Sequence, residues 1–528
     1  MKNNVYLFTK PFSKFKVYGI MYITLGTCIN YRVEKYRGVW FRMVAVSVVF
    51  YMLMMLFIGY YSYKRTSNLS DYMIGGRTLG PAVTALSAGA SDMSGWLMMG
   101  LPGAMFTQGL SAGWIIAGLT LGAYANWLYV APRLRSYTFI ANDSITIPSF
   151  LGHRFHDNSN VLRLVSALVI IIFFTFYVSS GLVSGAVLFN TMFGMEYHTG
   201  LWLILAVIVT YTLFGGFLAV SLTDFVQGLI MVIALILVPV VTIMNSGGLG
   251  ASFSHIQSIN PALLDVFKGT SFVGMISLFA WGLGYFGQPH IIVRFMAISS
   301  VDEIKKSRKI GMSWMVFSEV GAMFTGLIGI AYFSTHGLSL PNPETVFIEL
   351  GKILFHPIIT GFLISAILAA IMSTISSQLL VTSSSLTEDL YRILLRRSAS
   401  DKELVFISRL CVLLVALAAT YLAWSQNDTI LNLVGYAWAG FGSSFGPVIL
   451  LSLYWKRMTK WGALAGMIAG AGTVILWTQF PALKSIYEMI PGFTMGLLAI
   501  VVVSLMTAVP SQAIQDEFDK SEAETKSN

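Results

Sequence analysis

The sequence has little charge and almost no cysteine, and both absences exclude classes of protein. Only 11% of the 528 residues are charged and 56% are hydrophobic, whereas about 25% are charged in a typical soluble domain. The two cysteines, Cys28 and Cys411, are far apart and indicate neither a disulfide framework nor a thiolate metal site, so we interpret them as small apolar fillers. We find no nucleotide-binding loop, kinase signature or soluble catalytic domain, and therefore predict neither an enzyme nor a nucleic-acid-binding protein.

Long apolar runs take the place of the missing charge. Many reach the roughly 20 residues that a helix needs to cross a bilayer, and they are continuous, which excludes the alternating pattern of a membrane β-barrel. We predict an all-α polytopic membrane protein with about thirteen spans, numbered in chain order: 43–61, 79–107, 113–132, 162–190, 198–219, 223–244, 272–292, 309–333, 359–384, 404–424, 430–454, 461–478 and 490–508.

The loops between the spans alternate in basic charge, which predicts their sides of the membrane. Intervening loops carry only Lys268, Lys352 and Lys484. The positive-inside rule places the basic loops in the cytoplasm, so span one begins outside and the C-terminus is cytoplasmic, in the cell membrane. The basic loops carry Lys64, Arg65, Arg77, Arg133, Arg135, Arg154, Arg294, Lys305, Lys306, Arg308, Lys309, Arg392, Arg396, Arg397, Lys402, Lys456, Arg457 and Lys460.

Both ends of the chain depart from this membrane domain, which we place at 43–510. Residues 1–42 carry +7 of the total net charge of +9, on the side predicted to be outside. Their apolar piece, Val17–Ile29, is open to three interpretations: a signal-like segment, an extra helix, or part of an artefact of a start codon upstream of Met43. We favour the artefact or a dispensable extension. Residues 511–528 are expected to form a charged, partly disordered cytoplasmic tail.

One carboxylate lies in the middle of span two. Asp92 is the only charged residue in the segment Leu79–Gln108, and a carboxylate at this depth costs about 3 kcal/mol on insertion scales. The surrounding Gly, Ala and Ser residues allow a helix to open and supply oxygen atoms. This pattern indicates a cation site inside a membrane transporter.

Span seven has a similar interruption, in the segment Trp281–Pro289, which contains three glycines and ends in proline. It follows span two by five spans, so the two run in opposite directions. We therefore predict two inverted five-helix repeats, spans 2–6 and 7–11, with a binding site where the broken helices meet. Glycine and proline that merely ease helix packing are the alternative.

Span nine carries the hydroxyl pair Ser373 and Thr374 beside small residues. Such hydroxyls commonly bond back to their own helix. They can also serve as ligands for a hard cation, together with backbone carbonyls. Spacing alone leaves both interpretations open.

These segments together resemble the sodium/solute symporter family, and the resemblance runs from about Met43 to about Pro510. The segments that carry it are Gly75–Arg77, Ala85–Trp96, Trp281–His290 and Met372–Thr374. The resemblance implies the leucine-transporter type of fold, with Na⁺ bound between spans two and nine. On matching positions, the Na⁺ ligands would be the carbonyls of Ala90, Met93 and Ala370 and the hydroxyls of Ser373 and Thr374.

Two acids are placed by the same resemblance, and one is not. Asp92, which we include among the metal-site residues, is similar to an essential acid near the sodium site, and it either touches the ion or sets the local field on its path. Asp224 is similar to an acid on the inner ion path. By its position alone, Asp224 would be an interfacial helix cap. Glu319, a second acid inside a span, matches no motif, and we leave its role open.

Among members of the family, the substrate motifs are most similar to those of transporters of L-proline. The resemblance implies Na⁺-coupled symport of L-proline by alternating access, with no cofactor other than the co-transported Na⁺ and no obligatory protein partner. A family symporter of another small solute and a non-transporting membrane sensor are the alternatives. The implied substrate residues are Ser94, Gly95, Tyr177, Trp281, Tyr285 and Pro289.

Overall fold

The structure, a computed structural model, describes residues 30–63, 69–396, 398–425 and 428–527. Within these ranges the chain is helical, and extended backbone pairs only at an isolated bridge between Leu79 and Ile298. The predicted all-α class is therefore confirmed. The apolar piece 17–29, and Cys28 within it, lie outside the described residues.

The helices of the first half lead up to and include the first predicted repeat. Short 3₁₀ or π-helical turns connect several of them. They are α1 (Asn30–Tyr63), α2 (Leu69–Ile74), α3 (Pro81–Asp92), α4 (Leu101–Gln108), α5 (Trp114–Ala125), α6 (Ala131–Ile140), α7 (Ile147–Arg154), α8 (Val161–Phe193), α9 (Tyr197–Asn245) and α10 (Leu249–Ile259).

The second half contains the second repeat and the C-terminal helices. Its helices are α11 (Phe272–Phe279), α12 (Pro289–Ala297), α13 (Ile304–Thr335), α14 (Val346–Leu354), α15 (Pro357–Ser385), α16 (Asp401–Leu422), α17 (Ile430–Tyr454), α18 (Lys460–Trp477), α19 (Met489–Met506) and α20 (Gln512–Ser527).

Ten helices in the described part of the chain are long and apolar enough to cross a bilayer. Two shorter apolar helices, Tyr197–Thr210 and Phe272–Gly287, lie at predicted spans five and seven. Every predicted span falls on helical segments, although the number of thirteen is not confirmed. Spans five and six are both within α9, which is kinked at Gly216 (φ 60°, ψ −174°), a conformation that glycine adopts at low cost.

Both predicted helix interruptions are present. After α3 ends at Asp92, Met93 leaves helical geometry (φ −78°, ψ 75°), and helix resumes as a π-helical turn at Trp96. In predicted span seven, a 3₁₀ stretch, Ala280–Gly287, is followed by extended Gln288. Pro289 explains this second break, because proline has no N–H and keeps the preceding residue extended.

The central helix of the bundle is α15, which packs against α1, α3, α8 and α9. In its most apolar window 83% of the residues are buried, against 17% in α1. Since both helices are apolar, burial rather than composition separates the core from the periphery. The Ser373–Thr374 pair is thereby placed inside the protein and away from lipid.

The two ends of the described chain differ from the predictions. Helix α1 begins at Asn30, well before the predicted start of span one at residue 43. The expectation of a partly disordered tail is wrong, because residues 512–527 form α20. Phe518 of this helix is buried against Tyr137 and Arg154, and this packing stabilises a helix that its charged composition does not predict.

Candidate cation and substrate site

The break after α3 brings the Ala90 carbonyl against α15. Ser373 donates a hydrogen bond of 2.7 Å to this carbonyl, and Thr374 donates one of 3.4 Å. Ser373 also donates to the Ala370 carbonyl of its own helix, at 3.2 Å. The Ser373 hydroxyl therefore bonds both to its own helix and across to the broken one, and the Thr374 hydroxyl bonds across.

Four of the five predicted Na⁺ ligands are joined by these contacts, and all of them are buried. Carbonyl and hydroxyl oxygens are the ligand types that a hard cation takes in a protein. Met93 lies at the break itself, where its N–H donates to the Gly89 carbonyl at 2.9 Å. Its role as a ligand remains a prediction, as do those of the other four.

Asp92 points away from this cluster of oxygens. Ala90 and Asp92 are two residues apart, which places them about 200° apart around a helix of 3.6 residues per turn. The Tyr285 hydroxyl donates a hydrogen bond to Asp92 Oδ2, and Trp96 Nε1 donates to the Asp92 carbonyl at 3.1 Å. The carboxyl group is thus tied to the second broken helix, while the Ala90 carbonyl is tied to α15.

An aromatic cluster surrounds the second broken helix. Trp281 stacks on Tyr487, with ring centroids 5.4 Å apart, and lies 6.5 Å from Trp438. Trp438 Nε1 donates to the Trp281 carbonyl at 2.8 Å, and the Tyr285 ring packs edge-on to Trp438 at 5.2 Å. Aromatic faces in a buried site offer cation–π attraction to an ammonium group, and this region also contains the partner of Asp92.

The remaining predicted substrate residues line the same helix breaks. Ser94 is buried in the first break, and Pro289 begins α12 after the second. A Cβ atom on Gly95 would lie 2.5 Å from Ser184 Oγ, so the close approach of the broken helix to α8 requires glycine. Tyr177 of α8 packs edge-on to His290, with ring centroids 5.8 Å apart.

Asp224 is not an interfacial helix cap, as its sequence position alone suggested. It lies inside α9, fully buried, and forms an ion pair of 3.2 Å with Arg294 of α12, also fully buried. Its Oδ2 atom accepts from Ser87 at 2.8 Å and from Ser377 at 3.4 Å. Residues from four helices (α3, α9, α12 and α15) therefore meet at one carboxyl group. They can do so because Asp224 lies in the centre of the bundle.

Glu319 is also fully buried, in the middle of α13. Thr120 of α5 donates a hydrogen bond of 2.7 Å to its Oε2 atom. The structure therefore places this residue in the interior of the helix bundle.

Comparison with known proteins agrees with this architecture. The family model described as the sodium:solute symporter family matches residues 72–470. The chain belongs to the sodium:solute symporter family. The resemblance identified from the helix breaks and the Ser-Thr pair is thereby confirmed.

Three curated relatives are close to this family member along most of their length. The high-affinity proline transporter PutP of Bacillus subtilis (strain 168) is 69% identical over 465 residues, which are 88% of this chain and 98% of the relative. The osmoregulated proline transporter OpuE of the same organism is 60% identical, covering 89% and 96%. A sodium/proline symporter of Staphylococcus aureus (strain JH9) is 51% identical, covering 94% and 98%.

Solved structures show the fold. A Na⁺-coupled sialic acid symporter, in a substrate-bound outward-open state, gives a TM-score of 0.76 at 20% identity, covering 89% of this chain and 99% of that one. Mhp1, a nucleobase-cation-symport-1 family transporter in a closed conformation, gives 0.54 at 15%, covering 86% and 99%. The predicted leucine-transporter type of fold is confirmed.

Sequence reasoning missed several residues that complete the site of this symporter. Trp438 and Tyr487 contact Trp281 from helices far along the chain, and Arg294 and Ser87 complete the group around Asp224. The charge pattern of the loops predicts Arg294 in a basic cytoplasmic loop, but the structure shows that its side chain is fully buried. The one available signal was its position in the turn after the motif that ends at His290, directly following a broken helix.

Proposed function

We propose that this chain is a Na⁺-coupled symporter of L-proline that works by alternating access, in the cell membrane and with its C-terminus in the cytoplasm. The transporter domain would be residues 43–510. The observation that carries the proposal is the contact of Ser373 and Thr374 with the Ala90 carbonyl across a broken helix, beside an aromatic cluster. The curated relatives named as proline transporters support proline as the substrate.

Na⁺ binding would join the broken span two to α15. The ion would replace the Ser373–Ala90 hydrogen bond with shared coordination by both oxygens, together with the carbonyls of Met93 and Ala370 and the Thr374 hydroxyl. Since the ligands come from two helices, binding of the ion favours the state in which these helices are close. This differential binding is what couples an ion to a conformational equilibrium.

Proline would then bind between the two helix breaks. Its ammonium group fits against the faces of Trp281 or Tyr285, and its carboxylate fits the N-terminal end of the helix that resumes after Ser94 and Gly95. Coupling requires each ligand to raise the affinity of the other, typically by about 1–3 kcal/mol. An inside-negative membrane potential adds about 2.3 kcal/mol, for each positive charge and each 100 mV, to the free energy that drives Na⁺ inward. No covalent step is required, so we infer that the protein is not an enzyme.

The test is uptake of [³H]proline by proteoliposomes that contain the purified protein. We expect accumulation above equilibrium under an inward Na⁺ gradient and none under a K⁺ gradient. A panel of unlabelled solutes identifies the substrate: proline should compete best, whereas stronger competition by a sugar or pantothenate would assign another substrate. Binding without uptake would support a sensor.

A pair of matched variants locates the substrate site in the same assay. Trp281→Leu should raise the half-saturating proline concentration about thirtyfold, since a desolvated cation–π contact contributes about 2 kcal/mol and about 1.4 kcal/mol corresponds to a factor of ten. Trp202→Leu, which changes a tryptophan that is 48% exposed on α9, should leave it unchanged. Equal effects of the two variants would contradict the assignment.

A further inference from the structure

A polar cavity lies beyond the C-terminal end of α15, on the predicted cytoplasmic side. Its volume is about 410 Å³, and small-molecule sites have roughly 300–1,000 Å³. One wall is the turn after α6, which includes Asp143 and Ser144, and the other is the start of α8 with the π-helical segment Leu386–Leu395. Of its lining residues, all in the described part of the chain, only Ile145 and Ile393 are apolar. The cavity therefore suits a polar ligand.

Charges of both signs line this cavity in equal number. Arg163 and Arg392 carry the positive charges, and Asp143 and Glu388 carry the negative ones. Burial and the charge of Arg163 lower the pKa of His153, which also lines the cavity, so this imidazole is mostly uncharged at neutral pH. Because the lining is neutral in total, a ligand with one charge of each sign complements it better than a simple anion or cation.

The arginine wall offers donors for a carboxylate. Arg392 donates to both oxygens of Glu388 from its Nη1 atom, at 3.0 and 3.2 Å. A guanidinium group carries five N–H donors in a fixed fork, so its other edge can bind a second carboxylate through two hydrogen bonds. The Arg392 side chain is 43% exposed, and a solute can therefore reach it. Arg163 contacts the same Glu388 at 3.4 Å and is held by Asp389 at 2.8 Å.

The other wall offers an acceptor for an ammonium group. Asp143 pairs with Arg77 through its Oδ1 atom, at 2.7 Å, and its side chain is 60% exposed. A carboxylate has two oxygens with about four lone-pair sites, so Asp143 can accept a further hydrogen bond from a ligand. The turn after α6 therefore presents an acid to a molecule whose carboxylate faces the arginines.

The two walls are attached to different parts of the proposed transport site. Arg77, just before α3, donates to the Ser144 carbonyl at 2.9 Å and to the Met296 carbonyl of α12 at 2.6 Å. The turn after α6 is thereby tied to both broken helices, whereas the other wall continues α15. The walls touch where Thr146 donates to Asp389 at 2.9 Å, and residues adjacent to both partners line the cavity.

We propose that this cavity binds a small zwitterionic amino acid from the cytoplasm and that the bound ligand slows inward opening. Arg392 and Arg163 hold its carboxylate, and Asp143 holds its ammonium group. Because these residues belong to different walls, the ligand favours the state in which the broken helices and α15 are close at their cytoplasmic ends. Cytoplasmic proline thereby limits its own uptake. This effect on transport rests on the proposed function, whereas the binding itself does not.

The test of binding is equilibrium dialysis of [³H]proline against the purified full-length protein in detergent, with K⁺ in place of Na⁺. We expect one proline per protein, both in the wild type and in Trp281→Leu, which alters the Na⁺-coupled site. Arg392→Gln should weaken binding about tenfold or more, because a hydrogen bond to a charged group is lost. Ile393→Trp, which fills the cavity without changing its charge, should weaken it as well.

Arg396→Gln is the matched control for Arg392→Gln. Arg396 follows four residues later, is 62% exposed and pairs with Glu403 outside the cavity, so its removal should leave proline binding unchanged. Wild-type affinity in both Arg392→Gln and Ile393→Trp would overturn the assignment of the cavity, and so would the absence of Na⁺-independent binding in the wild type.

Three competitors define the chemistry of the ligand in the same dialysis. Cyclopentanecarboxylate lacks the amine of proline and pyrrolidine lacks the carboxylate, so each should compete at least about tenfold less well than proline. Equal competition by cyclopentanecarboxylate would show an anion site and overturn the zwitterionic ligand. Stronger competition by phosphoethanolamine than by proline would show a lipid head-group site and overturn the amino acid.

The effect on transport is measured as the initial rate of Na⁺-driven [³H]proline uptake into proteoliposomes with and without unlabelled proline inside. Internal proline should slow uptake by the wild type and by Arg396→Gln, and much less by Arg392→Gln. Equal slowing in all three would overturn the regulatory role. Absence of Na⁺-driven uptake in the wild type would instead overturn the proposed function, and the dialysis would still decide whether the cavity binds proline.

Discussion

The buried ion pair between Asp224 and Arg294 offers a quantitative test of the interior of this symporter. Both side chains are fully buried. Asp224→Asn preserves the size of the side chain and an acceptor for Ser87, but it leaves the guanidinium group without its carboxylate. Breaking a buried pair in this way costs about 3–5 kcal/mol. We expect the lower value, because Arg294 keeps its hydrogen bonds to the His290 carbonyl and to Ser377.

A double variant separates the charge from other effects. Arg294→Met alone should destabilise by a similar amount, because it leaves the carboxylate buried without its cation. The combination with Asp224→Asn removes both charges, and replacing a buried pair by uncharged groups is often close to neutral. The double variant should therefore be more stable than either single variant, with a coupling energy of at least about 2 kcal/mol by the same reasoning.

The assay is reversible unfolding in mixed micelles, followed by tryptophan fluorescence, with thermal midpoints as a second measure. Glu349→Gln is the matched control, since its 2.9 Å pair with Lys352 is partly exposed and should contribute about 0.5 kcal/mol. The reasoning is refuted if Asp224→Asn is no less stable than this control, or if the double variant is less stable than both single variants.

Three further predictions concern transport. Ser373→Ala with Thr374→Ala should raise the half-saturating Na⁺ concentration about tenfold or more, since a hydrogen bond or ligand to a charge contributes about 1.5–3 kcal/mol. Asp92→Asn should strongly weaken Na⁺-dependent uptake of proline, because the amide lacks the negative charge. Gly95→Ala should lower proline affinity, since its Cβ meets Ser184 Oγ at 2.5 Å, and Ser184→Gly should restore part of the affinity.

Each of these variants is measured by [³H]proline uptake at several Na⁺ concentrations, on protein of equal monodispersity. An unchanged Na⁺ dependence of uptake in the Ser373–Thr374 variant would contradict the assignment of these two hydroxyls as Na⁺ ligands. If Asp92→Asn has the Na⁺ affinity of the wild type, the Asp92 carboxylate has no role in Na⁺ binding. Failure of Ser184→Gly to improve Gly95→Ala would show that the close approach to α8 is not the cause.

Local features of the sequence predicted much of the fold. Apolar runs of sufficient length predicted a membrane-spanning protein. Residues that break helices predicted the two helix interruptions, which the structure shows at Met93 and at Gln288. These properties act within one or two helical turns, so they can be interpreted without knowing which helices are neighbours. The same motifs were specific enough to indicate the family.

Partners that are distant in the chain could not be predicted in this way. Three contacts each join separate helices: that of Trp281 with Trp438, that of Asp224 with Arg294 and that of Phe518 with Tyr137. A helical pattern specifies which residues share a face, but not which other helix covers that face.

The sequence by itself determined that Asp92 lies in a broken, membrane-embedded helix and that Ser373 and Thr374 offer oxygens. The tertiary structure decided that Ala90 and Asp92 face different partners: α15 on one side and Tyr285 on the other. The reason is geometric. Two residues two positions apart on a helix point in nearly opposite directions, and only the packing of the surrounding helices gives each direction its chemistry.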